Sequence, residues 1–175
     1  MLETLISSKT RIKLLLKFFL NAQSKSYLRH LEAEFGESTN AIRLELNKFE
    51  SAGMLTSNME GNKRVFQVNK SHPLFGEIHN MVVKYVGLDK VIDTLVRKVG
   101  NLKAVYLVGD YAQGKDSGLI DLVLFGLDID EHYMLKKTRK AEQLIDRRIR
   151  FLTFSNEASL KAYLNDKPNL ALWST

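Results

Sequence analysis

Five consecutive residues, Phe35-Gly36-Glu37-Ser38-Thr39, restrict this chain most. Leu28, Leu31 and Phe35 recur at three- and four-residue spacing, the apolar stripe of a helix that Ser26 is placed to cap. Gly36 then supplies the left-handed backbone that stops a helix without a Cβ penalty. Two residues on, Ser38 stands as the N-cap of another helix, whose Ile42, Leu46 and Phe49 sit at i, i+4 and i+7. So short a joint makes the two helices cross steeply. Upstream, Ile12, Leu15, Leu16, Phe19 and Leu20 mark a further helix, one face of which must be buried.

Gly53 stops the Ser38 helix, and the period then changes. Met54 to Thr56 reads as a strand, Asn58 to Asn62 as a turn, and Lys63 to Val68 as a returning strand with alternating apolar residues. Helix, turn, helix and hairpin together predict a winged helix-turn-helix over residues 1–72. Ser38, Thr39, Asn40, Arg43 and Asn47 start or face outward from the third helix, with hydrogen-bonding groups suited to base edges and phosphates. Asn62, Lys63 and Arg64 form a basic hairpin tip, where a wing meets a phosphate backbone. A merely solvated helix face carries similar residues. Combined with the hairpin and a net charge of +6, the pattern favours double-stranded DNA as a partner.

His72-Pro73 breaks the strand, and residues 73–87 read as a linker helix ending at Gly87. A helix over Leu88–Val99 follows, and strands and helices then alternate. Strands are expected at Ala104–Val108, Ile120–Phe125 and Ile149–Phe154, with helices from about Glu131 to Asp146 and from Asn156 to Tyr163. The fold class is therefore α+β or α/β with two domains, the second (88–175) a small mixed sheet flanked by helices. No apolar run reaches the roughly 18 residues of a membrane-span candidate, and there is no cysteine for a disulfide or thiolate metal site. A cytoplasmic protein is expected, with no membrane partner. The four histidines lack metal-ligand spacing, and the basic run from Lys136 to Arg150 is interspersed with acids, as on a solvated face. Trp173 either docks the tail or meets a second subunit.

The runs GNKRVFQVNKSHPLFGEI, VYLVGDYAQG and IDLVLFG resemble a two-domain architecture spanning nearly the whole chain. It joins an ArsR-like winged helix to a minimal nucleotidyltransferase domain of the DNA polymerase beta superfamily. That family's pattern is Gly-Ser, a turn with Ala-Arg-Gly, then Ser-Asp-x-Asp-Leu entering an apolar strand. The resemblance implies that Gly109 lets a triphosphate approach the backbone, and that two aspartates on one strand face clamp magnesium.

The sequence departs from this pattern at each chemical position. Asp110 stands where the family has serine, and Gln113 replaces the arginine. Either register of the strand leaves Asp121 as its one carboxylate, flanked on that face by Leu119 and Val123. Arg150 falls at the third-strand position, placed to pair with Asp121. Gly109, Asp110 and Asp121 are thus expected to be vestigial, with no metal and no cofactor. The alternative is magnesium with a nucleoside triphosphate on Asp110 and Asp121, Asp116 joining them. The function expected is a DNA-binding transcriptional regulator, homodimeric on two half-sites, whose catalytically inactive second domain senses a ligand or holds a protein partner. An active magnesium-dependent nucleotidyltransferase and an interaction module without DNA binding are the alternatives.

Overall fold

Ser8 opens the first long helix by accepting a hydrogen bond from the Arg11 N–H at 3.2 Å, after a single turn, α1 (Leu2–Leu5). The computed structural model describes residues 2–96 and 99–175, in two units, Met1–Tyr85 and Val86–Thr175. The architecture is mixed α+β with two sheets.

In the first unit α2 (Lys9–Leu15) widens into a π-helical stretch, Leu16–Leu20, in which every residue is buried. The expected apolar stripe is inside, but the wide turn also carries Lys17 inward. Its ammonium meets Glu34 at 2.9 Å, the two side chains 5% and 11% exposed. Burial of a lysine on this scale requires such a partner.

Ser26 does not cap the next helix. It lies in β1 (Lys25–Tyr27), opposite Phe66 in a sheet ladder that claims its backbone. Its hydroxyl sits 3.0 Å from His30 Nδ1, and extended Tyr27 takes the N-cap place of α3 (Leu28–Phe35). Gly36, at φ +63°, ends α3. The Ser38 hydroxyl then accepts from the Ala41 N–H at 3.2 Å to open α4 (Thr39–Ser51).

The following hairpin is tighter than the sequence suggests. β2 runs Leu55–Glu60 and β3 Lys63–Val68, so Asn58, Met59 and Glu60 are strand and Gly61-Asn62 is the turn. Gly61, at φ +62°, permits so short a connection. The three strands pair antiparallel in the order β1-β3-β2. Phe19, Leu31, Ile42, Leu46, Phe49 and Phe66 are buried in this unit. The stretch expected as a linker is helical over Phe75–Val86 (α5). Phe75 packs 6.1 Å from Phe19, and His79 Nδ1 lies 2.7 Å from the Phe19 carbonyl, to which it donates. That carbonyl lies in the last turn of the π stretch, where helix acceptors lack partners of their own.

The second unit starts with α6 (Leu88–Val96). The helix expected to continue to Val99 crosses residues 97 and 98, which lie outside the described residues. Then come β4 (Asn101–Val108), a single helical turn α7 (Gly109–Ala112), β5 (Leu119–Leu127), α8 (Glu131–Ile145), β6 (Arg148–Phe154) and α9 (Glu157–Asn165). A last strand, β7 (Asn169–Ser174), was not anticipated. It pairs antiparallel with β4 and sets Trp173 opposite Val105, so the tail is a sheet edge. The order is β6-β5-β4-β7, with β5 and β6 parallel. On one face Val108 and Val123 pack with Leu160 of α9. Ile120, Leu122 and Leu124, which alternate with Val123, are also buried, so both sheet faces are covered.

Candidate functional site

Each unit carries its own concave site. In the first, α3, α4 and the hairpin enclose a cleft of about 520 Å³. Arg43 and Asn47 line it from α4, and Asn62, Lys63 and Arg64 from the hairpin. Arg29 and Tyr27, which the sequence reading did not single out, complete it. Arg29 is the second residue of α3, and β1 pairing with β3 brings it to the hairpin. That neighbourhood depends on the sheet, which local periodicity does not reveal.

Four cations line this cleft and no carboxylate does. Arg29 and Arg43 are exposed and have no acidic partner among the described residues. The Lys63 ammonium sits 4.5 Å from the Tyr27 ring centroid, which aims it without neutralising it. Arg64 differs: it donates to Glu50 at 2.6 Å and to Ser57 Oγ at 2.9 Å. Ser38, Thr39 and Asn40 stand outside the cleft lining, in the first turn of α4, with the Ser38 hydroxyl engaged as the cap.

In the second unit the turn after β4 holds Gly109 at φ +70°, where a Cβ would lie 2.8 Å from Asp121 Oδ2. Glycine here therefore makes room for the Asp121 carboxylate and permits the left-handed backbone. Asp121 stands opposite Arg150 in the parallel β5–β6 ladder, and Arg150 Nε donates to its Oδ1 at 2.6 Å, as the register of the sequence suggests. The carboxylate's hydrogen bond and charge push the Arg150 pKa up. Gly109, Asp121, Arg150, Tyr163 and Lys167 share a cavity of about 350 Å³ with apolar neighbours from β6. The Lys167 ammonium lies 3.5 Å from the Tyr163 ring centroid.

Asp110 lies in α7, and its carbonyl accepts from the N–H groups of Gln113 and Lys115, both at 3.0 Å. It is not among the residues lining the cavity. Asp116 does not join these acids. It accepts from Arg147 Nη2 at 2.7 Å and from the hydroxyl of Tyr111, and Arg147 Nε donates to the Tyr111 oxygen at 2.7 Å. Burial works to raise the Asp116 pKa, but Arg147 and Tyr111 outweigh it and hold the carboxyl below its ordinary range. Burial, then Asp116, push the Tyr111 phenol up. This clasp ties the loop after α7 to the start of β6, and it removes Arg147 from the solvated face on which the sequence reading placed it.

Magnesium requires several oxygen ligands in near-octahedral array. Asp121 offers one carboxylate whose Oδ1 is already taken, Leu119 and Val123 flank it, and no cluster of three or more potential metal-ligating side chains occurs among the described residues. The donor set does not fit the ion. An anionic phosphate meets a different lining, with Arg150 and Lys167 beside the glycine turn.

No family model matches the chain, and no curated protein does. Several solved structures are similar to about half of it. One is a toxin–antitoxin structure with AMP-PNP, at 21% identity over 50% of this chain and 73% of the other, TM-score 0.41. Another is a tri-AMPylated HEPN toxin in complex with MNT antitoxin from Shewanella oneidensis, at 20% identity over 51% and 71%, TM-score 0.39. A third, from Archaeoglobus fulgidus, is matched over its whole length and 56% of this chain, at 13% identity and TM-score 0.37.

The expectation of no cofactor is corrected here, since the structures similar to this chain include one with AMP-PNP and one with an AMPylated toxin. That expectation counted the carboxylates lost from the site and the gain of Arg150, but not Lys167, which lines the same cavity.

Proposed function

We propose that the chain couples a winged-helix unit for duplex DNA to a nucleotidyltransferase-like unit that binds a nucleotide. The cleft between α4 and the hairpin carries the first half of this reading: Arg29, Arg43, Lys63 and Arg64 converge on a concave surface lined by no carboxylate. Polar residues of α4 reach base edges in the major groove, and the hairpin tip meets the adjacent backbone. Two copies on two half-sites make the regulator homodimeric, and the second unit makes its occupancy responsive to nucleotide.

Fluorescence anisotropy on a labelled duplex tests the DNA half. Binding should weaken steeply with salt, the log–log slope falling by about 0.9 for each phosphate contact removed. Substituting Arg43→Ala together with Lys63→Ala should weaken it and flatten the slope. Binding unchanged by the double substitution would favour a protein-interaction module instead.

A second reading is a magnesium-dependent nucleotidyltransferase using Asp110 and Asp121. Its support is that both acids flank Gly109, one next to it in sequence and the other packed against it. Transfer of labelled AMP from ATP to a protein or nucleic-acid acceptor, abolished by Asp121→Asn, would establish it.

A further inference from the structure

Beside the carboxylate that the resemblance assigns to a magnesium ion, this chain places a guanidinium. The placement is set by the backbone: β5 and β6 run in parallel register with Asp121 opposite Arg150. Asp121 is 18% exposed and Arg150 67%, so the carboxylate is largely enclosed while the arginine reaches into solvent. The bond to Asp121 engages Nε of Arg150, and no hydrogen bond of its two terminal nitrogens to the described residues accompanies it. Lys167 lines the same cavity, aimed by the ring of Tyr163. The lining therefore holds two cations and one carboxylate, a net positive site about 350 Å³ in volume.

A divalent ion at Asp121 would have to share the carboxylate with Arg150 or displace it, and in either case sit beside that positive charge, which opposes its binding. A phosphate meets no such obstacle. Guanidinium N–H groups match two phosphate oxygens at once, and an ammonium adds a point charge.

We propose that this cavity binds the phosphate of a nucleoside phosphate directly, without a divalent metal, with Arg150 as the built-in counter-charge and Lys167 as the second phosphate ligand. Asp121 positions Arg150 by holding its Nε, and the apolar side chains of Phe151 and Leu152 line the remainder for the nucleoside. The proposal rests on the reading of the second unit as nucleotide-binding, and it adds the mode of binding.

Calorimetry on the full chain tests it, using ATP, AMP and inorganic phosphate, first in EDTA and then with excess magnesium. ATP or AMP should bind in EDTA, more tightly than inorganic phosphate, with no gain on adding magnesium. Arg150→Gln and Lys167→Gln should each weaken binding by roughly tenfold, the loss of one charge-assisted contact. Asp121→Asn should tighten binding, because its amide oxygen still accepts from Arg150 Nε while one negative charge leaves the cavity. Circular dichroism of each variant verifies that it folds. Binding that requires magnesium and is lost in Asp121→Asn would overturn this inference while preserving the nucleotide reading. Equal affinity for inorganic phosphate and ATP would overturn the assignment to a nucleoside phosphate. No binding under either condition would overturn both, and the anisotropy measurement on DNA would stand apart from all three.

Discussion

In the first unit Arg29 and Arg43 line an open cleft with no acidic partner among the described residues, whereas in the second Arg147 and Arg150 are held by aspartates at 2.7 and 2.6 Å. The two arrangements use the same side chain for different ends. A cation left unpaired at a concave surface contributes little to the fold and remains available to an external anion. A cation paired within the unit fixes its neighbours, and offers a ligand only the nitrogens its partner leaves over. Arg147, 13% exposed and bonded to both Asp116 and Tyr111, is spent on structure. Arg150 is the intermediate case, anchored at one nitrogen and exposed at the others.

The contrast breaks most visibly where a cation is both paired and buried. Glu34→Ala leaves the Lys17 ammonium without its partner inside the first unit and should destabilise that unit by about 3–5 kcal/mol. Calorimetric unfolding reads this directly. Lys17→Met combined with Glu34→Leu should recover most of the loss, since neither of these two positions then carries a charge. A small cost for Glu34→Ala would mean that Lys17 reaches water by another route.

The clasp in the second unit should give a smaller effect with a pH signature. Asp116→Asn should cost about 2 kcal/mol at neutral pH through weakened charge-assisted bonds. The native carboxyl lies below its ordinary value, so its contribution is full above about pH 4, where the unfolded chain is ionised. It is lost as pH falls through the lowered native value. The variant and the parent should therefore converge in acid. The chain's one tryptophan, Trp173, lies on β7 and reports on the unfolding of this unit by fluorescence. A difference that persists undiminished well below pH 4 would remove Asp116 as its source.

Sequence alone revealed the parts of this molecule that local chemistry decides. Gly36 and Ser38 terminate and cap their helices because left-handed backbone and N-cap geometry are set within a few residues. The Asp121–Arg150 pair was legible because parallel strands of known phase bring particular residues opposite one another. What escaped detection depends on partners distant in the chain. Ser26 looks like a cap until β3 arrives to pair with it. NLALWS lacks a strong strand signal until β4 offers it a ladder. Lys17 and Arg147 look like surface cations until Glu34 and Asp116 are folded against them. Lys167 escaped notice at the second site for a related reason: it is far from the glycine turn in sequence and joins it only through α9.

The finest test of the contrast lies within the cleft of the first unit, where an arginine with no acidic partner among the described residues and a paired one stand together. Arg29 is exposed and has no acidic partner among the described residues, whereas Arg64 gives Nη2 to Glu50 and Nε to Ser57. A phosphate at Arg64 must share a guanidinium already partly neutralised, and one at Arg29 takes the whole charge. Arg29→Ala should thus reduce duplex affinity by about 1 kcal/mol and lower the salt slope by about 0.9. Arg64→Ala should change both by less. Its effect on stability should also be slight, because an exposed ion pair contributes about 0–1 kcal/mol. Anisotropy at several salt concentrations separates the two variants. Should Arg64→Ala prove the more damaging, Glu50 releases its arginine on binding, and Glu50→Gln would then tighten DNA binding by freeing it in advance.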